Sequence, residues 1–326
     1  MKILIFEWLL GGGQYLGQAD RQHDPKLQSQ GGQMLQALEQ DFSAIGFDVT
    51  ITLEANSTYT PQPSTEAVLI RPEDSLPGQL RQLACKTDFI LLVAPETDGK
   101  LLQCSQWLVD FQKKFLSPQP KVVELCSNKT ETCRFLKRHS IPVPSGVLIE
   151  PDGRDIRHYP PRFTSFLPGV LKPNCGAGGE ATYFVEDKDA LLRIMEKQAA
   201  QLFRPMRLEA WIEGLPASTS LICGPAGYVV LPPTRQVFRS QPMGAYVRNQ
   251  DDLSQDHKSR ANDLACRIAD VLPPTCGYLG IDMILGDSPK EDRVVEINPR
   301  LTSSYSLLRK LRSDNLAETM LSCATT

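Results

Sequence analysis

Gly280-Ile281-Asp282-Met283-Ile284-Leu285 and, further on, Val294-Val295-Glu296-Ile297-Asn298-Pro299-Arg300 decide how the chain is read. Both are apolar runs with polar side chains at intervals of two, the period of a strand with one buried face. Glu296 and Asn298 then point one way, and Val295 and Ile297 are expected to enter the core. Gly286 to Asp292 reads as a hairpin loop centred near Pro289, which sets Asp282 opposite Glu296. Like charges directly across a β-pair repel. A divalent cation removes that repulsion, and carboxylate and amide oxygens suit magnesium, with manganese as a substitute. Asp282, Glu296 and Asn298 are therefore the candidate metal ligands. Arg300 adds a planar cationic fork suited to a phosphoryl or carboxylate oxygen and is a candidate catalytic residue. The plain alternative is a hairpin whose polar side faces water, with Arg300 in a surface salt bridge.

Working back along the chain, Gly169-Val170-Leu171-Lys172-Pro173-Asn174-Cys175-Gly176-Ala177-Gly178-Gly179-Glu180-Ala181 puts a lysine at the end of an apolar run, followed by a glycine-rich loop. Lys172, with Arg300 a candidate catalytic residue, can place an ammonium, and Gly176, Gly178 and Gly179 backbone N–H groups, around phosphate oxygens. The span from Gly176 to Ala181 also fits the Gly-x-Gly-x-x-Ala dinucleotide pattern. However, Thr182 to Val185 reads as a strand where that fingerprint needs a helix, so a Rossmann cofactor site is rejected. A structural hairpin turn is the alternative. Leu208-Glu209-Ala210-Trp211-Ile212-Glu213-Gly214 is an apolar strand carrying an acid, whose backbone can read an adenine edge while Trp211 and Ile212 supply apolar contact. Lys129 lies in the first turn of a helix capped by Asn128, with Glu131 three residues on. It faces phosphate only if that helix end points into the cleft, and is otherwise a solvated lysine.

The rest of the chain gives these motifs an order. Ile3 to Phe6, a helix from about Gly32 to Ile45, Val49 to Leu53 and Phe89 to Val93 alternate as strand and helix, which argues for a parallel, doubly wound sheet. Ser57 to Pro72 is rich in Pro, Ser and Thr and reads as an irregular surface connection. From Ser127 the pattern turns to a small α+β module with strands at 146–149, 169–172 and 182–185 and a helix over 189–202. Beyond Arg207, strands at 208–212, 218–222, 228–231, 278–285 and 294–298 surround a helix near Ala261 to Leu272. The expected division is therefore 1–126, 127–206 and 207–326, in a mixed α/β and α+β class.

Composition excludes other functions. Among 326 residues the net charge is −3, which leaves no basic surplus to neutralise a nucleic-acid backbone. No apolar stretch approaches the ~20 residues a membrane helix needs, so neither nucleic acid nor membrane is expected as a partner. Nine cysteines are scattered without a Cys-x-x-Cys pair, and with four histidines they make no ligand cluster. Reduced core thiols in a cytoplasmic protein are the expectation.

In this order, Lys129, Lys172, the glycine-rich loop, the Glu209 to Gly214 segment, Asp282 and Glu296-x-Asn298-Pro299-Arg300 resemble the ATP-grasp superfamily over roughly residues 127–309. The resemblance implies a pre-ATP-grasp domain, a lid domain and a C-terminal antiparallel sheet domain with ATP between the last two. It implies that Lys129 and Lys172 contact phosphates, that Gly176, Gly178 and Gly179 cover them, and that Glu209, Ala210, Trp211 and Ile212 receive adenine. Asp282, Glu296 and Asn298 would hold magnesium, and Arg300 would steady the transferring phosphoryl group. Where many members bind ribose with an acid after the hinge glycine, this chain reads Leu215-Pro216-Ala217-Ser218, so the ribose contact is unassigned. Phe6-Glu7-Trp8, Gly11-Gly12-Gly13 and Gly32-x-Met34-Leu35 are similar to the tyramine–glutamate ligase group of methanofuran-type cofactor synthesis. The implied activity is ligation of a small-molecule carboxylate to an amine through an acyl phosphate. A kinase-like phosphotransferase or a nucleotide-binding regulator without chemistry are the alternatives. Gln236 and Tyr246 stand as guesses for substrate contacts, and a homodimer is left open.

Overall fold

The computed structural model describes residues 1–16, 25–111, 114–150, 161–198, 204–239 and 246–325. In the first sheet, β1 (Lys2–Glu7), β2 (Asp48–Glu54), β3 (Glu66–Ile70), β4 (Phe89–Val93) and β5 (Lys114–Phe115) run parallel in the order β3-β2-β1-β4-β5. Ile3 to Phe6 and all of β4 are buried because helices cover both faces. On one face lies α1 (Pro25–Ala44), which inserts Met34, Leu35, Leu38 and Phe42. On the other lie α2 (Leu76–Ala84) and α3 (Lys100–Val109). Each such side chain contributes about 1.5–3 kcal/mol of burial. The doubly wound expectation is met, and the strand order reverses between β1 and β4. One expectation is corrected: the 57–72 connection contains β3, which pairs along its whole length with β2. It is an edge strand with Leu69 56% exposed, so its sequence lacks the apolar alternation that marks a half-buried strand.

The second sheet is antiparallel, in the order β6-β9-β7-β8, from β6 (Gly146–Ile149), β7 (Gly169–Pro173), β8 (Tyr183–Val185) and β9 (Met206–Ala210). The strand after the glycine-rich loop is β8, in keeping with the rejection of a dinucleotide fingerprint. β9 pairs with β6 on one side and β7 on the other, so a division between residues 206 and 207 passes through a strand of this sheet. The helix read over 189–202 is α6 between Lys188 and Gln198, and residues 199–202 of that reading lie outside the described residues.

The third sheet is antiparallel, in the order β12-β11-β10-β13-β14, from β10 (Leu215–Gly224), β11 (Gly227–Phe238), β12 (Tyr246–Gln250), β13 (Gly277–Leu285) and β14 (Arg293–Asn298). One face packs against α7 (Gln255–Val271), α4 (Pro120–Ser127) and α5 (Lys129–Arg138). The other shares a continuous core with α1 through α8 (Tyr305–Leu311) and α9 (Leu316–Ala324). Asp41 of α1 accepts from the Tyr305 hydroxyl at 2.7 Å and from Arg309 Nε at 2.8 Å, which joins the first sheet's helix to the third sheet's. Arg260 of α7 clamps the β13–β14 loop, donating to Asp292 Oδ2 at 2.9 Å and the Gly286 carbonyl at 2.7 Å. No helix among the described residues is long and apolar enough to cross a membrane. All nine cysteines are free, and Cys85 and Cys175 are exposed, so the thiols are not all core residues.

Candidate functional site

The β13–β14 register pairs Asp282 with Glu296 and Gly280 with Asn298, as the loop length requires. A bulge then intervenes, and Met283 pairs with Val294. The bulge breaks the alternation: Val294 is fully buried and Val295 is not, which corrects the expectation that Val295 enters the core. Both Asp282 oxygens are held by amide donors, Oδ1 by Gln236 Nε2 at 2.9 Å and Oδ2 by Asn298 Nδ2 at 3.1 Å. Burial, then the charge of Glu296, pushes the Asp282 carboxyl up to about 7, against the pull of Arg300 and Lys172. Glu296 behaves oppositely: burial alone would raise it, but Lys129 and Lys172 outweigh that and hold it below the usual carboxylate range. Two facing carboxylates, one of them penalised as an anion, fit a divalent cation, with the Asn298 amide as a third oxygen donor.

Lys129 is at the first position of α5, where Asn128 Oδ1 caps by accepting from the Glu131 N–H at 3.1 Å. Asn174, just past β7, staples this helix end: its carbonyl accepts from the Lys129 N–H at 2.9 Å, and its Oδ1 accepts from the Thr130 N–H at 3.0 Å. The result is a lysine only 6% exposed, pointing inward. Its ammonium lies 2.8 Å from Glu296 Oε1 and donates to the Gly176 carbonyl at 3.0 Å. Burial would lower the Lys129 proton affinity, but Glu296 reverses that and raises it. The structure thus brings Lys129, Glu296 and the start of the glycine-rich loop together.

Lys172 ends its ammonium 2.7 Å from Glu209 Oε2, and Arg207 Nε donates to Glu209 Oε1, also at 2.7 Å. All three side chains are buried. The Glu209 carboxylate is therefore matched by two cations. The Ala210 N–H goes to the Ser145 carbonyl and the Trp211 N–H to the Pro168 carbonyl, each at 2.9 Å. Those two donors belong to the fold, so of the groups expected to read adenine, Ile212, past the end of β9, and the segment's carbonyls remain the candidates. The Trp211 ring meets Phe184 edge-on with centroids 5.1 Å apart. In the loop, Gly178 and Gly179 have φ of +69° and +73°, a conformation that costs a side chain about 1 kcal/mol or more. Arg300 Nε donates to Glu96 Oε2 at 2.9 Å, tying β14's end to the first sheet. Gln236 Nε2 donates to Asp282 Oδ1 at 2.9 Å, and the Tyr246 hydroxyl accepts from Ser303 at 3.4 Å.

A family profile described as "ATP-grasp domain" matches residues 126–304, more than half of the chain. The chain belongs to the ATP-grasp family. A second profile, "pre ATP-grasp 3 domain", matches residues 47–123. The tyramine–L-glutamate ligase of Methanocaldococcus jannaschii is 22% identical over 98% of this chain and 88% of that one. Among solved structures, the L-amino acid ligase of Bacillus licheniformis aligns with a TM-score of 0.70 at 15% identity, covering 99% of this chain and 73% of that chain. The D-alanine–D-alanine ligase of Bacillus anthracis complexed with ATP aligns with a TM-score of 0.66 at 17% identity, covering 99% and 97%. The two structures show the fold. The ATP-grasp architecture expected from the residue set, with a pre-ATP-grasp parallel sheet followed by two antiparallel sheets, is the one observed.

Sequence reasoning does not single out Arg207 or Glu96, and it names Glu7 only within the Phe6-Glu7-Trp8 motif, without a role in the site. Arg207 lies in β9 two residues before Glu209, and the strand period alone puts the two on one face. Glu96 follows the apolar run of β4, and Glu7 ends β1. An acid at the carboxyl end of a parallel strand beside the reversal of strand order is a readable signal, because ligands enter such sheets there.

Proposed function

We propose that the chain is an ATP-dependent ligase that joins a small-molecule carboxylate to an amine, forming a carbon–nitrogen bond through an acyl phosphate. The observation that carries this reading is Asp282 across from Glu296, with Asn298 one step along the same face and Lys129 and Arg300 beside them. Asp282, Glu296 and Asn298 hold magnesium, which when bound neutralises phosphate charge and orients the γ-phosphoryl group. Lys129 exchanges Glu296 for a phosphate oxygen, and Lys172 contacts the phosphates from the second sheet. Gly176, Gly178 and Gly179 bring backbone N–H groups over them, and the 209–212 segment receives adenine. A substrate carboxylate oxygen attacks the γ-phosphorus, the bond to the leaving ADP oxygen breaks, and Arg300 steadies the charge on the transferring group. Phosphoryl transfer asks mainly for positioning and charge stabilisation, which these side chains supply without a protein nucleophile. The second sheet acts as a lid that keeps water from the acyl phosphate.

Similarity to the tyramine–L-glutamate ligase supports glutamate as the first carboxylate to try. A cytoplasmic setting suits nine unpaired cysteines. The test is ADP release across amino acids paired with amines, with product read by mass spectrometry for a new amide. A ligase needs both partners. Glu296→Gln should lower turnover about 100-fold while the fold persists, and near-normal turnover in that variant would remove Glu296 from the metal site.

A further inference from the structure

Among the acids of the cleft, Glu296, Glu209 and Glu96 each meet a Lys or Arg at hydrogen-bond distance. Asp282 meets two neutral amides, and these differ in where they come from. Asn298 is a neighbour on β14, whereas Gln236 belongs to β11, and β10 runs between β11 and β13. Adjacent strands lie about 4.8 Å apart, so the Gln236 side chain crosses the width of a strand to donate to Asp282 Oδ1 at 2.9 Å. Its own register partner, Asn249, has a buried Oδ1 without a hydrogen-bond partner among the described residues. Gln236 thus serves an acid two strands away while its neighbour's acceptor goes unmet.

The crossing is open because of the residue beneath it. The register sets Ser218 against Asp282 on one side and against Thr234 on the other, so the three share the side of the sheet that carries Glu296. Strand alternation puts Gln236, two residues beyond Thr234, on that side too. Ser218 is small and buried, and a larger side chain there would stand in the path of Gln236. An amide suits this end point. It donates a hydrogen bond without bringing charge, so Asp282 is oriented while its place beside a cation stays open; a Lys or Arg on the same path would fill that place itself. It also pins Oδ1. The remaining oxygen, Oδ2, is met by the Asn298 amide at 3.1 Å, and one turn of that amide frees Oδ2 and presents the Asn298 oxygen on the same side.

We propose that Gln236 is the positioning residue of the metal site: by pinning Oδ1 it restricts Asp282 to one-oxygen coordination and sets a preference for magnesium over calcium. This rests on the ligase reading above, and in this role Gln236 acts through Asp282 alone. Magnesium takes single oxygens in a strict octahedron and keeps several waters, whereas calcium has a larger, looser shell and accepts a carboxylate through both oxygens. A carboxylate with one oxygen held by a protein donor suits the first and handicaps the second. Without the Gln236 donor the Asp282 carboxylate can turn and offer both oxygens.

The test uses the full chain without nucleotide, so that no turnover enters the readout. Binding of Mn2+ is followed by loss of the free-ion electron paramagnetic resonance signal, with Mg2+ and Ca2+ as competitors. The wild type should bind magnesium more tightly than calcium. Gln236→Met, similar in length and without a donor, should lose about tenfold or more in magnesium affinity, the scale of a lost outer-shell partner, while calcium affinity changes less than about threefold. Gln236→Glu, which replaces the donor by an oxygen, should bind calcium more tightly than the wild type does, a gain that a damaged fold cannot produce. A wild type that prefers calcium, an equal loss of both ions in Gln236→Met, or a wild-type preference retained by either variant each overturns the role of Gln236 and leaves the ligase reading standing. Absence of Mn2+ binding to the wild type, or binding unmoved by Glu296→Gln, overturns the metal reading itself and the role of Gln236 with it.

Discussion

Replacing Asp282 by Asn should make the protein more stable and inactive. The Asp282 carboxyl is pushed from 3.8 up to about 7, first by burial and then by Glu296 across the strand pair. A carboxyl raised in the fold binds its proton more tightly there than in the unfolded chain, so stability falls as pH rises from about 4 to about 7 and is flat above. Three pKa units correspond to about 4 kcal/mol at most, and because Asp282 is only partly buried a net of about 2 kcal/mol is the working figure. Asn keeps the shape and can still accept from Gln236, while Asn298 can turn its amide oxygen toward the new NH2 group. Urea unfolding at pH 8 should therefore favour Asp282→Asn by about 2 kcal/mol, and the gap should close near pH 4. Millimolar magnesium should stabilise the wild type more than the variant, and ADP release should be lost. An Asn variant less stable than wild type at pH 8, or a gap that does not change with pH, would refute the electrostatic account of this hairpin.

Removing Arg207 leaves Glu209 with Lys172 as its single cation in a buried setting, so Arg207→Ala should cost about 3 kcal/mol in urea unfolding, and a loss under 1 would mean the pair is not felt. Glu7 is raised from 4.5 to about 7 by burial, so the same sign holds as for Asp282: Glu7→Gln should gain up to about 3 kcal/mol at pH 8 and nothing near pH 4, read from the pH dependence of the unfolding midpoint. Gly31→Ala gains about 1 kcal/mol of helix propensity but sets a methyl against the Glu7 carboxylate. The two effects should nearly cancel, so urea unfolding should change by less than about 1 kcal/mol in either direction, and a gain of the full helix-propensity difference would show that the methyl meets no resistance from Glu7.

The parts of the fold that could be read from sequence are those governed by one local period. The Asp282–Glu296 register follows from counting residues around the hairpin, β1 and β4 follow from unbroken apolar runs, and β2 from apolar residues alternating with Thr50 and Thr52. Reading fails where a second element decides. Strand alternation puts Val295 in the core, because a bulge, set by the pairing with β13, does not show in the strand itself. The residues around Lys129 do not decide between cleft and solvent, since its burial depends on Asn174, which follows β7 and is 45 residues away in the chain. The Arg300–Glu96 pair joins residues 204 positions apart, and neither flank announces it. β3 carries no such period, because an exposed edge strand need not alternate.

The charges of the cleft explain why so many buried ions are tolerated together. Lys129 stands on Glu296, Lys172 and Arg207 on Glu209, and Arg300 on Glu96, so each cation is matched by an acid at hydrogen-bond distance. Asp282 differs: both its oxygens are met by neutral amides, and its carboxyl is the one in this strand pair that resists ionisation. A divalent cation held by Asp282 and Glu296 would supply the positive charge that Asp282 lacks. Glu296 shared in that way would leave Lys129 without its partner in a place where an unpaired ammonium is costly, and a phosphate oxygen is the replacement its position allows. On this account metal and triphosphate would bind cooperatively. Glu296→Gln should accordingly weaken nucleotide binding in the presence of magnesium far more than in its absence, and equal weakening under both conditions would break this linkage.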